Sequence, residues 1–353
     1  MRVLHEFHEF FSMSFTVNIE PGGRVFSVQE DETVLTAALR QGLNLPYGCR
    51  DGHCGSCKAR VLKGEVHYTN NLTEALSDEE RVAGIALLCQ AMPKSDITLE
   101  AHLVDSADEI TVKKLPCRLQ SKTLLAHDVM ELTLKLPVTE RLQFLAGQYV
   151  HILLPDGRRR SFSLANPPHN DQLLVLHVRH VPGGEFTDYV FNQLQEKSIL
   201  RIEGPLGGFY LRENSDRPMI FMAGGTGFAP VKSLMEHCIA EKTTRPIHFY
   251  WGARAKRDLY CHDLACQWDQ QYPHIRYTAV LSEPAAADAW QGRTGLVHEA
   301  IAEDFADLSG YDVYACGPPL MVAAGKLAFI QRGLSEAHYY SDAFEFQTPQ
   351  PGA

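Results

Sequence analysis

The residues with the plainest chemistry are three cysteines in one loop, Pro46-Tyr47-Gly48-Cys49-Arg50-Asp51-Gly52-His53-Cys54-Gly55-Ser56-Cys57, spaced C-x4-C-x2-C. A fourth, Cys89, closes the apolar run Ile85-Ala86-Leu87-Leu88. Four thiolates so spaced are the ligand set of a plant-type 2Fe-2S cluster. Such a cluster is small and negatively charged, so the backbone must fold tightly around it. Gly48, Gly52 and Gly55 permit backbone angles that a Cβ resists, and their amides can turn toward the sulfurs. Zinc and a disulfide are the other uses of such cysteines. Zinc takes paired C-x2-C knuckles or mixed Cys/His sets; one tight pair, a third cysteine upstream and a distant fourth match that poorly. His53, between two cysteines, reads as a loop residue. The expected metal ligands are Cys49, Cys54, Cys57 and Cys89.

Two later stretches could hold phosphate. Arg158-Arg159-Arg160-Ser161-Phe162-Ser163 is a basic cluster running into a strand. Arg158 and Arg159 suit a solvated strand end. Arg160 suits a phosphate, Phe162 an aromatic ring system and the Ser163 hydroxyl a polar ring edge. Past His177-Val178-Arg179-His180, the run Gly183-Gly184-Glu185-Phe186-Thr187 opens a helix expected over Asp188 to Leu194. Free amides and the helix dipole favour an anion there. Two phosphate-competent features in one domain point to a dinucleotide. Gly224-Gly225-Thr226-Gly227 follows a strand and precedes a helix. It is either a tight βα turn or a ligand loop at the carboxyl end of a parallel strand. Cys316-Gly317-Pro318-Pro319 follows another such strand and would face the same crevice.

These groups need elements to position them. Phe15 to Glu20 and Val25 to Val28 read as a hairpin, and Asp31 or Thr33 can cap a helix through Leu39 that Gly42 ends. Ala59 to Leu62 and Asp96 to Glu100 read as strands, and Ser77-Asp78-Glu79-Glu80 is a capping-box signature. Together they predict an α+β, ubiquitin-like (β-grasp) ferredoxin domain over 13–104. A polar linker, Asp105 to Glu109, follows. Strands at Cys117–Leu119, Val129–Leu136 and Gln148–Leu154, separated by Pro and Gly turns, predict an antiparallel β-barrel over 114–213. Strands at Pro218–Met222, Ile247–Trp251, Ile275–Leu281 and Tyr311–Ala315 alternate with helices at Ala229–Glu241, Leu296–Phe305 and Pro319–Arg332. That alternation predicts an α/β parallel-sheet domain over 216–346, with Tyr339–Phe344 as a last strand.

A chain of 353 residues has room for two or three domains. Its net charge of -10 excludes nucleic acid as a partner, which would call for a basic face. No apolar run approaches the roughly 18 residues of a membrane span. Nine cysteines without a secretory leader pattern point to a reducing, cytoplasmic setting. Residues 1–12, rich in Phe and His, read as an upstream-start or vector-like extension, and 347–353 as a proline-rich tail.

In this order, the cysteine loop, the Arg-x-Phe-Ser barrel, Gly224-Gly225-Thr226-Gly227, Cys316-Gly317-Pro318 and Asp342-Ala343-Phe344 resemble the ferredoxin–flavin–nicotinamide reductases that serve bacterial oxygenases. The likeness spans residues 13 to about 346. The run from Arg160 through Gly208 looks most like the CDP-6-deoxyglucoseen reductase branch, which reduces a dehydratase partner in deoxysugar synthesis. Phenol and toluene monooxygenase reductases are similar too. The resemblance implies a ferredoxin-reductase-like chain of three domains with a 2Fe-2S cluster, FAD and NAD(P)H. It gives the flavin pyrophosphate to Arg160 and puts Phe162 where a stacking tyrosine usually stands, without the phenol hydroxyl. Ser163 lies near the flavin's reactive nitrogen, and Val178, Arg179, Gly184 and Thr187 complete the FAD site. Gly224, Gly225, Thr226, Gly227, Cys316, Gly317 and Pro318 take the nicotinamide cofactor, with Thr226 and Cys316 flanking its ring. Phe344 covers the flavin's other face. Ser163, Thr226, Cys316 and Phe344 are thus the implied catalytic positions. The implied activity is NAD(P)H-dependent electron transfer through FAD and the cluster to a separate terminal protein, a dehydratase or an oxygenase. A free-flavin reductase and a non-enzymatic redox sensor are the rival readings; three electron-transfer sites in series favour turnover.

Cofactor choice is read where the second parallel strand ends, in Gly252-Ala253-Arg254-Ala255-Lys256-Arg257. An acid there bonds a ribose 2′-hydroxyl and an arginine accommodates a 2′-phosphate. No acid precedes Asp258, which by itself points to NADPH; the resemblance points to NADH. The expectation is NADH preferred with NADPH tolerated, Arg254 beside the ribose, and Lys256 and Arg257 opening a helix toward Tyr260.

Overall fold

The structure, a computed structural model, describes residues 13–41, 43–47, 52, 55, 57–69, 75–104 and 107–344. The expected extension 1–12, the tail 347–353, Gly42, Gly48, Cys49, Cys54 and the start of the linker lie outside the described residues. Residues 1–104 with 138–141 form one compact unit, and 105–137 with 142–353 another.

In the first unit, alternating residues give β1 (Ser14–Glu20), which returns as β2 (Arg24–Gln29). Val17, Ile19, Phe26 and Val28 face the core. Thr33, not Asp31, caps α1 (Val34–Arg40): its hydroxyl accepts from the Thr36 N–H. Then come β3 (Lys58–Lys63), β4 (Val66–His67), α2 (Asp78–Val82), β5 (Ile85–Leu87), β6 (Met92–Pro93) and β7 (Ile97–Glu100). The main sheet runs β2-β1-β7-β3-β5, with β7 parallel to β1. Five residues of α1 are buried against it, completing a β-grasp. Ser77 and Glu80 form the reciprocal capping box at α2.

The second unit opens with an antiparallel sheet of β8 (Lys113–Ala126), β9 (Val129–Lys135), β10 (Tyr149–Leu153), β11 (Arg159–Ser163), β12 (Leu174–Arg179) and β13 (Ile199–Leu206). The order is β11-β10-β13-β8-β9-β12, and a bridge between Leu164 and Leu176 brings the two ends together as a barrel. β8 far outruns the Cys117–Leu119 stretch read from sequence; two register shifts against β9 let it bend around the barrel. α3 (Glu185–Asn192) starts ahead of the expected Asp188. Gly184 is its N-cap, and the Thr187 hydroxyl folds back on the Val181 and Gly184 carbonyls, which puts Thr187 inside the first turn.

The second sheet of this unit is parallel throughout. Its elements are β14 (Met219–Gly224), α4 (Phe228–Ala240), β15 (Ile247–Ala253), α5 (His262–Gln271), β16 (Ile275–Leu281), β17 (Arg293–Thr294), α6 (Val297–Asp304), β18 (Asp312–Gly317), α7 (Pro319–Ile330) and β19 (Tyr339–Ala343). Strand order is β17-β16-β15-β14-β18-β19. Every residue of β14 and β18 is buried, as expected for strands covered on both faces. The barrel is tied to this sheet by polar contacts. His177 Nδ1 and the Tyr260 hydroxyl share a hydrogen bond at 3.1 Å, and the Ser233 hydroxyl donates to the Asn166 carbonyl at 2.8 Å.

The short α2 depends on its cap. Ser77→Ala is expected to cost about 1 kcal/mol locally, read as roughly fivefold faster amide hydrogen exchange over Glu80–Val82. Unchanged exchange there would show that packing alone holds the turn.

Candidate functional site

In the first unit the β3–β5 ladder places Cys57 beside Cys89. Lys58 pairs with Leu87, and the Leu88 N–H donates to the Cys57 carbonyl at 3.1 Å. The chain then turns: the Gln90 and Ala91 N–H groups both donate to the Leu87 carbonyl at 2.9 Å. Both cysteines are buried in the core. Gly55, with φ of +72°, takes the left-handed conformation that the tight loop requires. Lys58 bridges to Glu80 at 2.6 Å, tying α2 to the residue after Cys57. Two cysteines buried in one apolar core suit half of a cluster ligand set; the other half, Cys49 and Cys54, lies outside the described residues.

On the barrel, the outer arginines are committed. Arg158 pairs with Asp156 and Glu185, and Arg159 with Glu203 at 2.8 Å. Arg160 is half-buried, donates to the Arg159 carbonyl, and shares a face of β11 with Phe162. Phe162 packs on Phe186 of α3 with ring centroids 5.5 Å apart, and Ser163 is buried. Val178 is in the barrel core, so only its backbone can meet a ligand. Gly184 has no room for a side chain, since a Cβ would lie 2.8 Å from Thr187 Oγ1 and 2.9 Å from the Val181 carbonyl. The Thr187 hydroxyl, bonded to backbone on both sides, shapes that turn.

At the carboxyl end of the parallel sheet the two loops are pressed together. A Cβ on Gly227 would sit 2.3 Å from the Cys316 carbonyl, and one on Gly317 2.7 Å from the Gly224 carbonyl. Gly224 lies under Pro318 and Met321, and a Cβ on Gly225 would meet Arg179 Nη1 at 2.7 Å. Arg179 also donates to Asp128 at 2.7 Å, so it links barrel and turn. Thr226 is half-buried between these glycines. The Cys316 thiol is fully buried and donates to the Gly227 carbonyl at 3.0 Å; burial holds its pKa well above the ordinary thiol range. It is a packing thiol rather than a nucleophile. The chain end returns beside it. Asp342 pairs with Cys316 across β18–β19, and the Phe344 N–H donates to the Gly317 carbonyl at 2.9 Å.

Two residues absent from the site read off the sequence join the halves. Tyr149 is paired with Ser163 across β10–β11, and its ring lies 2.8 Å from where a Gly207 Cβ would be. Burial, then the Asp342 charge, raise its pKa. Burial pushes the Asp342 carboxyl up to about 6. Asp342 lies in the Asp342-Ala343-Phe344 motif, but nothing in the sequence says that its carboxyl is half-buried; Tyr149 has the pattern of an ordinary strand residue.

Beyond β15, Arg254 is exposed and its carbonyl accepts from the Glu283 N–H at 2.9 Å. Asp258 is buried and accepts from the Ala255 N–H, capping a 3-10 turn over Lys256–Asp258. Lys256 and Arg257 are exposed in that turn and do not open a helix; α5 begins only at His262, after the cap has used the turn's acid.

Comparison with known proteins adds three domain families. The 2Fe-2S iron-sulfur cluster binding domain matches residues 17–94, the oxidoreductase FAD-binding domain 116–210 and the oxidoreductase NAD-binding domain 221–326. The CDP-6-deoxy-L-threo-D-glycero-4-hexulose-3-dehydrase reductase of Yersinia pestis is 42% identical over 332 residues, 94% of this chain and 99% of its own. A terephthalate 1,2-dioxygenase reductase component of Comamonas is 37% identical over 334 residues, 94% and 98% of the two chains. A solved cytochrome P450 reductase from Amycolatopsis superposes with a TM-score of 0.62 at 36% identity, covering 94% of this chain and 98% of that one.

Asp342 gives a pH signature. Its folded pKa of about 6 lies above the ordinary 3.8, so the folded chain holds a proton that the unfolded chain has released. The group's contribution is full below about pH 4 and is lost as pH rises through 6. Asp342→Asn should therefore gain on the wild type by about 2 kcal/mol between pH 4 and pH 7 in urea unfolding without added flavin. An equal difference at both pH values would remove Asp342 from the ionising groups.

Proposed function

Because the chain belongs to the family of ferredoxin–FAD–NAD(P)H reductases, an NAD(P)H-dependent oxidoreductase with 2Fe-2S, FAD and nicotinamide domains, we propose that it is the electron-supplying partner of a sugar dehydratase. The terminal acceptor in this reading is a 3-dehydrase acting on a CDP-linked 6-deoxyhexulose. The carrying observation is the 42% identity, across 99% of the Yersinia relative, against 37% for the terephthalate component. Mixing the chain with such a dehydrase, its nucleotide-sugar substrate and NADH should give NADH-dependent formation of the deoxygenated sugar. Reduction of an oxygenase component instead would move the chain to the other branch.

Bound nicotinamide, flavin and cluster supply the hydride and single-electron chemistry; the chain binds, orients and shields. Three segments divide the work in this reading: 13–104 for the cluster, 114–213 for FAD and 216–346 for NAD(P)H. Cys49, Cys54, Cys57 and Cys89 hold the iron. Arg160 takes the flavin pyrophosphate, Phe162 one ring face, Ser163 a polar edge and Phe344 the other face. Val178, Arg179, Gly184 and Thr187 frame the rest of the flavin. Gly224, Gly225, Thr226, Gly227, Cys316, Gly317 and Pro318 receive the nicotinamide half of the donor. Among the described residues no helix is long and apolar enough to cross a membrane. Nine cysteines suit a reducing, cytoplasmic setting.

Arg160→Ala should lower bound FAD on the order of tenfold, the worth of one charge-assisted phosphate contact. Flavin released by heat should chromatograph as FAD. Full occupancy in the variant would take Arg160 out of the flavin site.

NADH is the preferred donor in this reading, with NADPH tolerated. Arg254 is the single cation placed directly after β15, and it is exposed, so its pull on a 2′-phosphate is weak. The kcat/KM ratio measured with each cofactor tests this. Arg254→Ala should reduce the NADPH value by severalfold and leave the NADH value near that of the wild type; a wild-type ratio favouring NADPH overturns the preference.

A further inference from the structure

We infer that Gln90, fixed in place through Leu87 by Tyr68, is the residue that tunes the reduction potential of the cluster from its Cys89 side. This rests on the cluster reading above. The Gln90 amide Nε2 donates to Cys89 Sγ at 4.0 Å, the outer reach of an N–H to sulfur bond. The side chain is half-buried, so water competes poorly for that donor.

Its backbone is held by a short relay. The Leu87 N–H donates to the Tyr68 hydroxyl at 3.2 Å, and the Leu87 carbonyl accepts from the Gln90 N–H at 2.9 Å. Leu87 is fully buried and paired with Lys58 in the ladder that carries Cys57. Tyr68 therefore holds Leu87 from one side, and Leu87 holds the turn in which Cys89 and Gln90 sit. The Tyr68 phenol is half-buried against the same core and close enough to Cys57 and Cys89 to feel their charge. Gln90 is a donor to the ligand sulfur; Tyr68 is a positioning residue.

The physical consequence is directional. A cluster that accepts one electron gains one negative charge, shared with its sulfur ligands. A donor aimed at a ligand sulfur stabilises the reduced form more than the oxidised form and raises the potential. Removing it lowers the potential, and a carboxylate in its place lowers it further.

The test uses the full-length protein with its cluster and FAD. Midpoint potentials are read by dye-mediated titration, following visible absorbance and the electron paramagnetic resonance signal of the reduced cluster. Gln90→Leu should shift the cluster potential negative, Gln90→Glu should shift it further, and Tyr68→Phe should give a smaller negative shift by loosening Leu87. The flavin potential in the same samples should stay at the wild-type value. A merely structural role would lower iron and sulfide content without this ordered shift. Wild-type cluster potentials in both Gln90 variants, at full iron content, overturn the inference. Wild-type protein that carries FAD but no cluster absorbance sinks the cluster reading itself, a distinct result.

Discussion

The contact on which the second unit depends is the approach of two backbones at the carboxyl end of its parallel sheet. Gly227 passes so close to Cys316 that a single added carbon would sit 2.3 Å from a carbonyl oxygen. The thiol of Cys316 then fills the space beneath and bonds Gly227 in return. Because β14 and β18 are neighbours in register, the loops after them must emerge side by side. With side chains on both they would splay. β19 closes the arrangement from the other edge, bringing Asp342 and Phe344 to the same loops.

The first unit solves a different problem with a ladder rather than a close approach. Cys57 and Cys89 are distant in sequence, and neither a turn nor a helix could bring them together. Antiparallel pairing of β3 with β5 does so, and the buried Leu87 and Leu88 lock the register. Ala86, Leu87, Leu88 and Cys89 are buried in succession, so the register is set by core packing along the whole run. The α2 turn braces the same ladder through the Lys58–Glu80 pair, so its cap matters beyond its own few residues.

Much of this was legible in the sequence because the informative residues are local. The capping box at Ser77 and the strand–glycine–helix pattern at Met219–Phe228 each specify geometry within a dozen positions. What was not legible depends on distant partners. The Asp31 or Thr33 cap was undecidable until the Thr33 hydroxyl was seen on the Thr36 N–H. The start of α3 moved because Thr187 bonds backwards, a choice its spacing from Gly184 leaves open. Tyr149 and Asp342 join the site only through the barrel–sheet packing. Lys256 and Arg257 have the pattern of a helix opening, yet Asp258 is consumed by its own cap, and the helix waits for His262.

Charge is placed against the grain of the whole. The chain carries -10 overall, yet Arg158, Arg159, Arg160 and Arg179 stand where phosphates are expected. Most of them are held: Arg158 and Arg159 by carboxylates, Arg179 by Asp128. A paired arginine is fixed in direction but keeps donors for a second acceptor, since its guanidinium offers five N–H groups. Arg179 shows the use of this. Its Nε is spent on Asp128 while Nη1 projects toward Gly225, so the acid that neutralises it also aims it. The same economy explains how an acidic protein can bind anionic dinucleotides. The repulsive field is long-ranged and screened by salt, whereas the aimed donors act at contact distance, where they dominate.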